Sequence, residues 1–242
     1  MATYVLVGGA WLGAWVWKSV VRALRAHGHD VYPLSLTGMG ERVHLARPET
    51  DLATHITDVV NLIRYEDLTD VVLVGHSYAG WVVTGAADRV PTALSSLVYC
   101  DSAPGPNGLA LLDIQSPQGQ AELRRIVATD GEGWYLPFPG FPGLGEASSI
   151  TGLDAAAQDL MLRKAAPQPL RTWTQPLQLT QTEPPTYRRA AILCEDGQRL
   201  LDSGVMAPFL SGTGWHILKL DTGHWPMLSK PEELSRLLHQ LA

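Results

Sequence analysis

The sequence contains a serine and a histidine whose types and surroundings suit acyl transfer. The segment VVLVGHSYAGWVV, residues 71–83, places Ser77 between two apolar runs. His224 lies in LDTGHWPMLSKPEEL, near the carboxyl end of the chain. A serine hydroxyl becomes an effective nucleophile only when an adjacent base removes its proton, and histidine is the commonest base. The two residues therefore predict nucleophilic catalysis, with Ser77 as nucleophile and His224 as base.

The small residues around Ser77 are those required where a strand turns sharply into a helix. Gly75 stands two residues before the serine, Ala79 stands two after it, and Gly80 follows. Such a nucleophile elbow exposes the serine at a helix N-terminus, which favours developing negative charge. The strict pattern has glycine where Ala79 stands, a departure of one methyl group. The alternative is that Ser77 only caps the helix, because serine is a common N-cap.

Two aspartates could orient the histidine and stabilise its charged form. Asp101 ends the strand that follows the serine, and Asp196 ends the next strand, in ILCEDGQ. A carboxylate in this role fixes the tautomer of the imidazole. Each aspartate could instead cap a loop, and at least one of them must do so. The residues alone leave the choice of acid open.

The oxyanion formed in acyl transfer needs backbone N–H donors beside the serine. Tyr78 follows the serine, and the first strand ends at GGAW, so its loop would bring the amide of Ala10 or Trp11 to the same place. No histidine has partners at the spacing of metal ligands, so we expect no metal. GGAWLG and GMGERV lack the lysine or the third glycine of nucleotide-binding loops, so we expect no cofactor.

Composition restricts the class of protein. The chain has 242 residues, of which 45% are apolar and 17% charged, and its net charge is −6. These values fit one globular domain, with neither nucleic acid nor membrane as a partner. No membrane span or signal peptide is visible, so we expect a cytoplasmic enzyme with reduced thiols at Cys100 and Cys194. Its oligomeric state is left open.

Apolar runs and helical patterns alternate along most of the chain. Strands are predicted at TYVLVGG, DVYPLSL, DVVLVGH, LSSLVYCD, AAILCED and WHILKLD. Helical spacing separates several of them, for example over residues 51–66, where the apolar residues share one face. The alternation predicts an α/β fold with a mostly parallel, doubly wound sheet of about six strands.

The alternation breaks at residues 104–186, which hold most of the prolines and a helical stretch near AAAQDLMLRK. We expect 1–103 and 187–242 to form the core, and 104–186 to form a helical cap over the carboxyl ends of the strands, where such sheets bind ligands. Six aromatic side chains are predicted to form an apolar wall around the substrate, although those of the cap could instead pack only against one another. They are Trp11, Trp134, Tyr135, Phe138, Phe141 and Trp225.

Several segments together resemble the α/β-hydrolase superfamily, and more narrowly its branch of small esterases and hydroxynitrile lyases. This branch includes plant methylesterases and related bacterial esterases. The resemblance runs over nearly the whole chain and is carried by YVLVGGAWLGAWVW, LTGMGERVHL, VVLVGHSYAGWVVTGAADRVP, LVYCDSAPGPNG and DTGHWPMLSKPEEL. It implies an α/β-hydrolase fold and cofactor-free hydrolysis of a small-molecule ester or lactone through an acyl-enzyme.

The resemblance also implies roles for individual residues. Ser77 and His224 take the positions of the nucleophile and the base, and the amides of Ala10 and Tyr78 those of the oxyanion hole. Members of the superfamily place the acid after either of two strands. Because LVYCDSAP resembles bacterial members with an aspartate at that point, the resemblance favours Asp101 over Asp196.

One departure bears on the reaction. The lyase members carry a lysine directly after the catalytic histidine, whereas this chain has Trp225, which favours ester hydrolysis over cyanohydrin cleavage. Two alternatives are kept open. One is a lyase or another cofactor-free biosynthetic step on the same scaffold, and the other is a non-catalytic protein that binds a ligand in an idle pocket.

Overall fold

A computed structural model of the chain describes residues 1–144, 148–182 and 185–242. The strands of these residues are β1 (Thr3–Val7), β2 (Asp30–Leu34), β3 (Val71–His76), β4 (Leu94–Cys100), β5 (Tyr135–Leu136), β6 (Gln168–Pro169), β7 (Arg188–Leu193) and β8 (Trp215–Lys219). Six of them form one parallel sheet in the order β2-β1-β3-β4-β7-β8, while β5 and β6 form a separate antiparallel pair. The predicted fold class is thereby confirmed.

Helices lie on both faces of this sheet and in the segment between β4 and β7. They are α1 (Lys18–Ala26), α2 (Leu52–Tyr65), α3 (Ala79–Arg89), α4 (Pro117–Asp130), α5 (Gly140–Leu144), α6 (Ala155–Lys164), α7 (Arg171–Thr174), α8 (Glu195–Asp202), α9 (Pro226–Ser229) and α10 (Pro231–Gln240). Among the described residues, none of these helices is both long and apolar enough to cross a membrane.

The buried strands explain why the sequence reads as continuous apolar runs. Along β1, Val5 and Val7 join the core that α2 and α3 cover, whereas Tyr4 and Leu6 join the core that α1 and α10 cover. Successive side chains of a strand point to opposite faces, so a strand covered on both sides is apolar throughout. The same arrangement holds β3 in the middle of the sheet, with its carboxyl end at the predicted serine turn.

The elements between β4 and β7 lie outside the central sheet. The helical stretch near AAAQDLMLRK is confirmed as α6, and the longer α4 was not anticipated from its mostly polar sequence. The division into a core at 1–103 and 187–242 and a cap at 104–186 stays a prediction.

The strand boundary that bears on the site was predicted wrongly. The expected strand AAILCED ends at Leu193, because its pairing with β8 stops at the partner Lys219. Asp196 therefore lies in the first turn of α8 and does not end a strand.

Candidate active site

Ser77 lies at the tight turn between β3 and α3. Its φ of 52° is in the left-handed region, which a non-glycine residue adopts only where its surroundings hold it there. Its amide donates to the carbonyl of Cys100 at 3.2 Å, and its carbonyl accepts from the Ser102 hydroxyl at 2.5 Å. A Cβ on Gly75 would lie 2.8 Å from the carbonyl oxygen of Ala79, so the turn requires glycine at that position.

His224 connects Ser77 to Asp101. It lies between β8 and α9, with Nε2 2.9 Å from Ser77 Oγ and Nδ1 2.6 Å from Asp101 Oδ2. When Nδ1 donates to the carboxylate, Nε2 is left as an acceptor that faces the serine hydroxyl. This arrangement can take a proton from the serine.

The carboxylate of Asp101 is held in its charged form. Burial raises its pKa, but the hydrogen bond and charge of His224 and the amide of Cys194 outweigh burial, so the pKa lies below its ordinary value. Its Oδ1 accepts from the amides of Cys194 at 2.9 Å and Gly197 at 3.2 Å, at the start of α8. Asp101 is thus negatively charged at neutral pH and fixed at both oxygens.

Asp196 uses its two carboxylate oxygens on other partners. Its Oδ2 accepts from the amide of Ser149 at 2.6 Å, and its Oδ1 accepts from Arg199 at 2.9 Å. One possible metal-ligand atom from each of Asp101, Asp196 and His224 lies within 4.8 Å of the other two, close enough to consider a metal site. Each carboxylate oxygen of this group already accepts a hydrogen bond from the protein, and the expectation of no metal stays a prediction.

The ring of His76 packs against the ring of His224, with 4.8 Å between the ring centroids. Its Nε2 donates to the backbone carbonyl of His224 at 2.7 Å. Burial and, to a smaller degree, the neighbouring His224 lower the pKa of His76 to about 3. His76 is therefore neutral at physiological pH and supports the backbone of His224 without adding charge.

The loop after β1 lies against the serine turn. A Cβ on Gly9 would lie 2.8 Å from the serine Cβ, so the loop can approach this closely only with glycine. The amide of Trp11 donates to Oε1 of Gln168 at 3.0 Å and is occupied by that bond. Ala10 and Tyr78 line the cavity that contains the serine.

Ser77 and His224 lie in the wall of a cavity of about 550 Å³. Most of the other side chains around it are apolar, which suits a small organic molecule. They include Leu111, Leu123, Ile126, Trp173, Met206 and Phe209.

The predicted aromatic wall is present only in part at the cavity surface. Trp11 and Trp225 line the cavity. Phe138 packs edge to face on Trp11 at 5.5 Å, and Phe141 packs on Trp225 at 6.3 Å, both distances being between ring centroids. These two phenylalanines thus lie behind the lining side chains, and a direct role for them in substrate binding stays a prediction.

The other two predicted aromatic residues contact each other. The rings of Trp134 and Tyr135 are 5.1 Å apart in an edge-to-face arrangement. Sequence reasoning missed instead the wall formed by α4, with Leu123 and Ile126 three residues apart, and by Met206 in the segment after α8. The three-residue spacing of these two side chains in α4 indicates an apolar helix face.

The fold has a counterpart in a known family. The sequence profile of the alpha/beta hydrolase family matches residues 4–237. This chain belongs to the alpha/beta hydrolase family. The resemblance identified from the sequence is confirmed, and the match spans the central sheet and everything between its first and last strands.

Within this family, curated relatives match the full chain. A carbendazim hydrolyzing esterase of Nocardioides sp. (strain SG-4G) is 35% identical over an alignment of 250 positions, which covers 100% of each chain. Methylesterase 10 of Arabidopsis thaliana is 26% identical over an alignment of 254 positions, which covers 99% of this chain and 91% of the relative. The esterase and methylesterase branch named from the sequence is therefore represented among its relatives.

Solved structures share the fold. An extracellular alpha/beta-hydrolase from a Paenibacillus species superimposes with a TM-score of 0.84 at 18% identity, covering 100% of this chain and 99% of that one. Tomato methylketone synthase I superimposes with a TM-score of 0.73 at 18% identity, covering 99% and 96%. At these identities the likeness establishes the architecture alone.

Proposed function

We propose that this protein is a cofactor-free serine hydrolase that cleaves the carboxylic ester or lactone of a small, fairly apolar molecule. The observation that carries the proposal is the position of His224, between Ser77 Oγ at 2.9 Å and Asp101 Oδ2 at 2.6 Å. The relatives described as an esterase and a methylesterase support ester hydrolysis by this family member.

The reaction proceeds through an acyl-enzyme. Ser77 Oγ attacks the ester carbonyl while His224 Nε2 takes its proton, and Asp101 stabilises the resulting imidazolium. The amides of Ala10 and Tyr78 stabilise the oxyanion of the tetrahedral intermediate. His224 then gives its proton to the leaving alcohol, and a water molecule activated by the same histidine releases the acid.

The cavity supports an apolar substrate. Its volume of about 550 Å³ lies in the usual range for small-molecule sites. Residues of the proposed cap, among them Leu123, Ile126 and Trp173, form part of its wall, as expected if residues 104–186 shape the substrate preference.

Hydrolysis of p-nitrophenyl acetate, butyrate and octanoate tests the proposal. We expect turnover by the wild-type protein and a loss of about 10³-fold or more in kcat for Ser77→Ala and His224→Ala. Ser95→Ala is the matched control, because that serine lies at the start of β4 and donates to the carbonyl of Asp70. Folded wild-type protein that hydrolyses none of the esters, or a Ser77→Ala variant with wild-type turnover, would contradict the proposal.

A further inference from the structure

We propose that Asp196 is a positioning residue, which fixes the backbone of His224 through the intervening residue Ser149. The inference rests on the proposed function, since it takes His224 as the base. The contacts form one continuous path: Asp196 Oδ2 accepts from the amide of Ser149 at 2.6 Å, and the carbonyl of Ser149 accepts from the amide of His224 at 2.8 Å.

The path is part of a close pairing between residues 149–151 and residues 222–224. The carbonyl of Thr151 accepts from the amide of Gly223 at 3.0 Å and from the hydroxyl of Thr222 at 3.3 Å. A Cβ on Gly223 would overlap the carbonyl oxygen of Ser149 and lie 2.7 Å from the amide nitrogen of Thr151. Glycine at 223 therefore allows the two segments to approach each other.

The start of α8 holds this pairing in place. Besides the bond from Ser149 to Asp196, the Ser149 hydroxyl donates to Glu195 Oε2 at 3.0 Å, and the amide of Glu195 donates to the carbonyl of Thr222 at 2.9 Å. Asp196 is only 4% exposed, and a hydrogen bond to a buried carboxylate is stronger than one between neutral groups. The carboxylate thus stabilises residues 149–151 directly and residues 222–224 through them.

The same helical turn also binds Asp101, the carboxylate partner of His224. The amides of Cys194 and Gly197 bind Asp101, while Asp196, which lies between them in the sequence, binds Ser149, whose carbonyl accepts from the amide of His224. The start of α8 therefore sets the position of the acid and of the histidine backbone relative to each other. Misplacement of a reacting group by about 1 Å costs on the order of 10²-fold in rate, so a loss of this support must appear in kcat.

Three variants test the inference: Asp196→Ala, Asp196→Asn and, as the matched control on the same helix, the exposed Asp202→Ala. They are compared by kcat and KM for the best p-nitrophenyl ester and by hydrogen–deuterium exchange of the peptide that contains Gly223 and His224. For Asp196→Ala we expect kcat to fall about 10- to 100-fold with KM little changed, together with faster exchange of this peptide. Asp196→Asn keeps an oxygen for the Ser149 amide and should recover most of the loss, while Asp202→Ala should match the wild type.

Two results would overturn the inference. One is wild-type kcat and unchanged exchange in Asp196→Ala. The other is a loss in Asp196→Asn as large as in Asp196→Ala, which would assign the effect to charge instead of to the hydrogen bond. If Asp196→Ala does not fold, Gly223→Ala tests the path in its place. This variant keeps Asp196 but should lower kcat and speed exchange of the peptide. Unchanged kcat and exchange in Gly223→Ala would refute the path.

The exchange measurement separates this inference from the proposed function. If the wild-type protein hydrolyses no ester, the proposed function fails. Loss of protection at Gly223 and His224 in Asp196→Ala would still support the path, and retained protection would still refute it.

Discussion

Nδ1 of His224 and Oδ2 of Asp101 are 2.6 Å apart, and only 1% of the Asp101 side chain is exposed. A buried carboxylate at this distance determines which ring nitrogen carries the proton. In the proposed reaction it also stabilises the imidazolium that forms when the serine gives up its proton. The pair therefore determines whether the other nitrogen can act as a base.

Asp101→Asn should lower kcat about 10³- to 10⁴-fold, with little change in KM. Asparagine is similar in shape to aspartate, but its amide group does not select the tautomer that leaves Nε2 free. The measurement is steady-state hydrolysis of a p-nitrophenyl ester, with thermal unfolding to show that the variant is folded. Asp159→Asn on the exposed face of α6 serves as the control. Near wild-type kcat in Asp101→Asn would exclude Asp101 as the acid.

Gln168 should support the loop after β1, whose Ala10 amide is a proposed oxyanion donor. Its Oε1 holds the amide of Trp11, next to Ala10, and its Nε2 donates to the hydroxyl of Thr172 at 2.9 Å. Gln168→Ala removes this support, so we expect kcat to fall about tenfold or more, because loss of an oxyanion donor itself costs about 10²–10³-fold. Gln240→Ala, at the end of α10, makes the same chemical change far from the loop. Equal kcat values for the two variants would contradict the role of Gln168.

Leu123→Trp should shorten the space available for an acyl chain, because Leu123 lines the cavity from α4. We expect the kcat/KM ratio of p-nitrophenyl octanoate to acetate to fall about tenfold or more, since each methylene that no longer fits is worth a factor of 10 or greater. Leu162→Trp places the same side chain on the exposed face of α6 and should leave the ratio unchanged. An unchanged ratio in Leu123→Trp would show that the chain binds elsewhere.

Stability should fall as the pH drops below about 6.5, because two buried histidines resist protonation. Burial lowers the pKa of His76 to about 3 and that of His55 to about 4. Between those values and 6.5 the unfolded chain binds more protons than the folded protein, so stability is complete above pH 6.5 and decreases below it. At pH 5 each histidine should cost on the order of 2 kcal/mol.

His55→Gln tests the origin of this acid sensitivity. His55 donates through Nε2 to the carbonyl of Thr37 and accepts from the hydroxyl of Tyr78 through Nδ1, both at 2.8 Å, and glutamine offers one donor and one acceptor without titrating. The free energy of unfolding in urea should therefore change less between pH 7.5 and pH 5 than in the wild type. The exposed His44→Gln should keep the wild-type dependence. An identical fall in wild type and His55→Gln would exclude His55 as its source.

Much of the fold could be predicted from the sequence because local patterns and tertiary structure agree. The apolar runs that alternate with helical spacing predict the parallel sheet, and Gly75 before Ser77 predicts the turn, since both follow from backbone geometry. The position of His224 between the last strand and the following helices was also evident. What these features share is that neighbouring residues in the sequence determine them.

The choice between the two aspartates depended on contacts that no local pattern encodes. Asp101 reaches His224 from a left-handed backbone conformation, with φ of 43°, which the amides at the start of α8 support. Asp196 lies where β7 has already ended and binds Ser149 instead. The spacing of Leu123 and Ile126 indicates an apolar face on α4, but which cavity that face lines depends on residues distant in sequence.

The central claim is that Ser77 is a nucleophile activated by His224. Reaction of the folded protein with a fluorophosphonate probe, followed by peptide mass spectrometry, tests it most directly. We expect one probe per chain, attached to Ser77, and none after denaturation or in Ser77→Ala. Folded wild-type protein in which Ser77 stays unmodified, or in which another residue takes up the probe, would contradict the account.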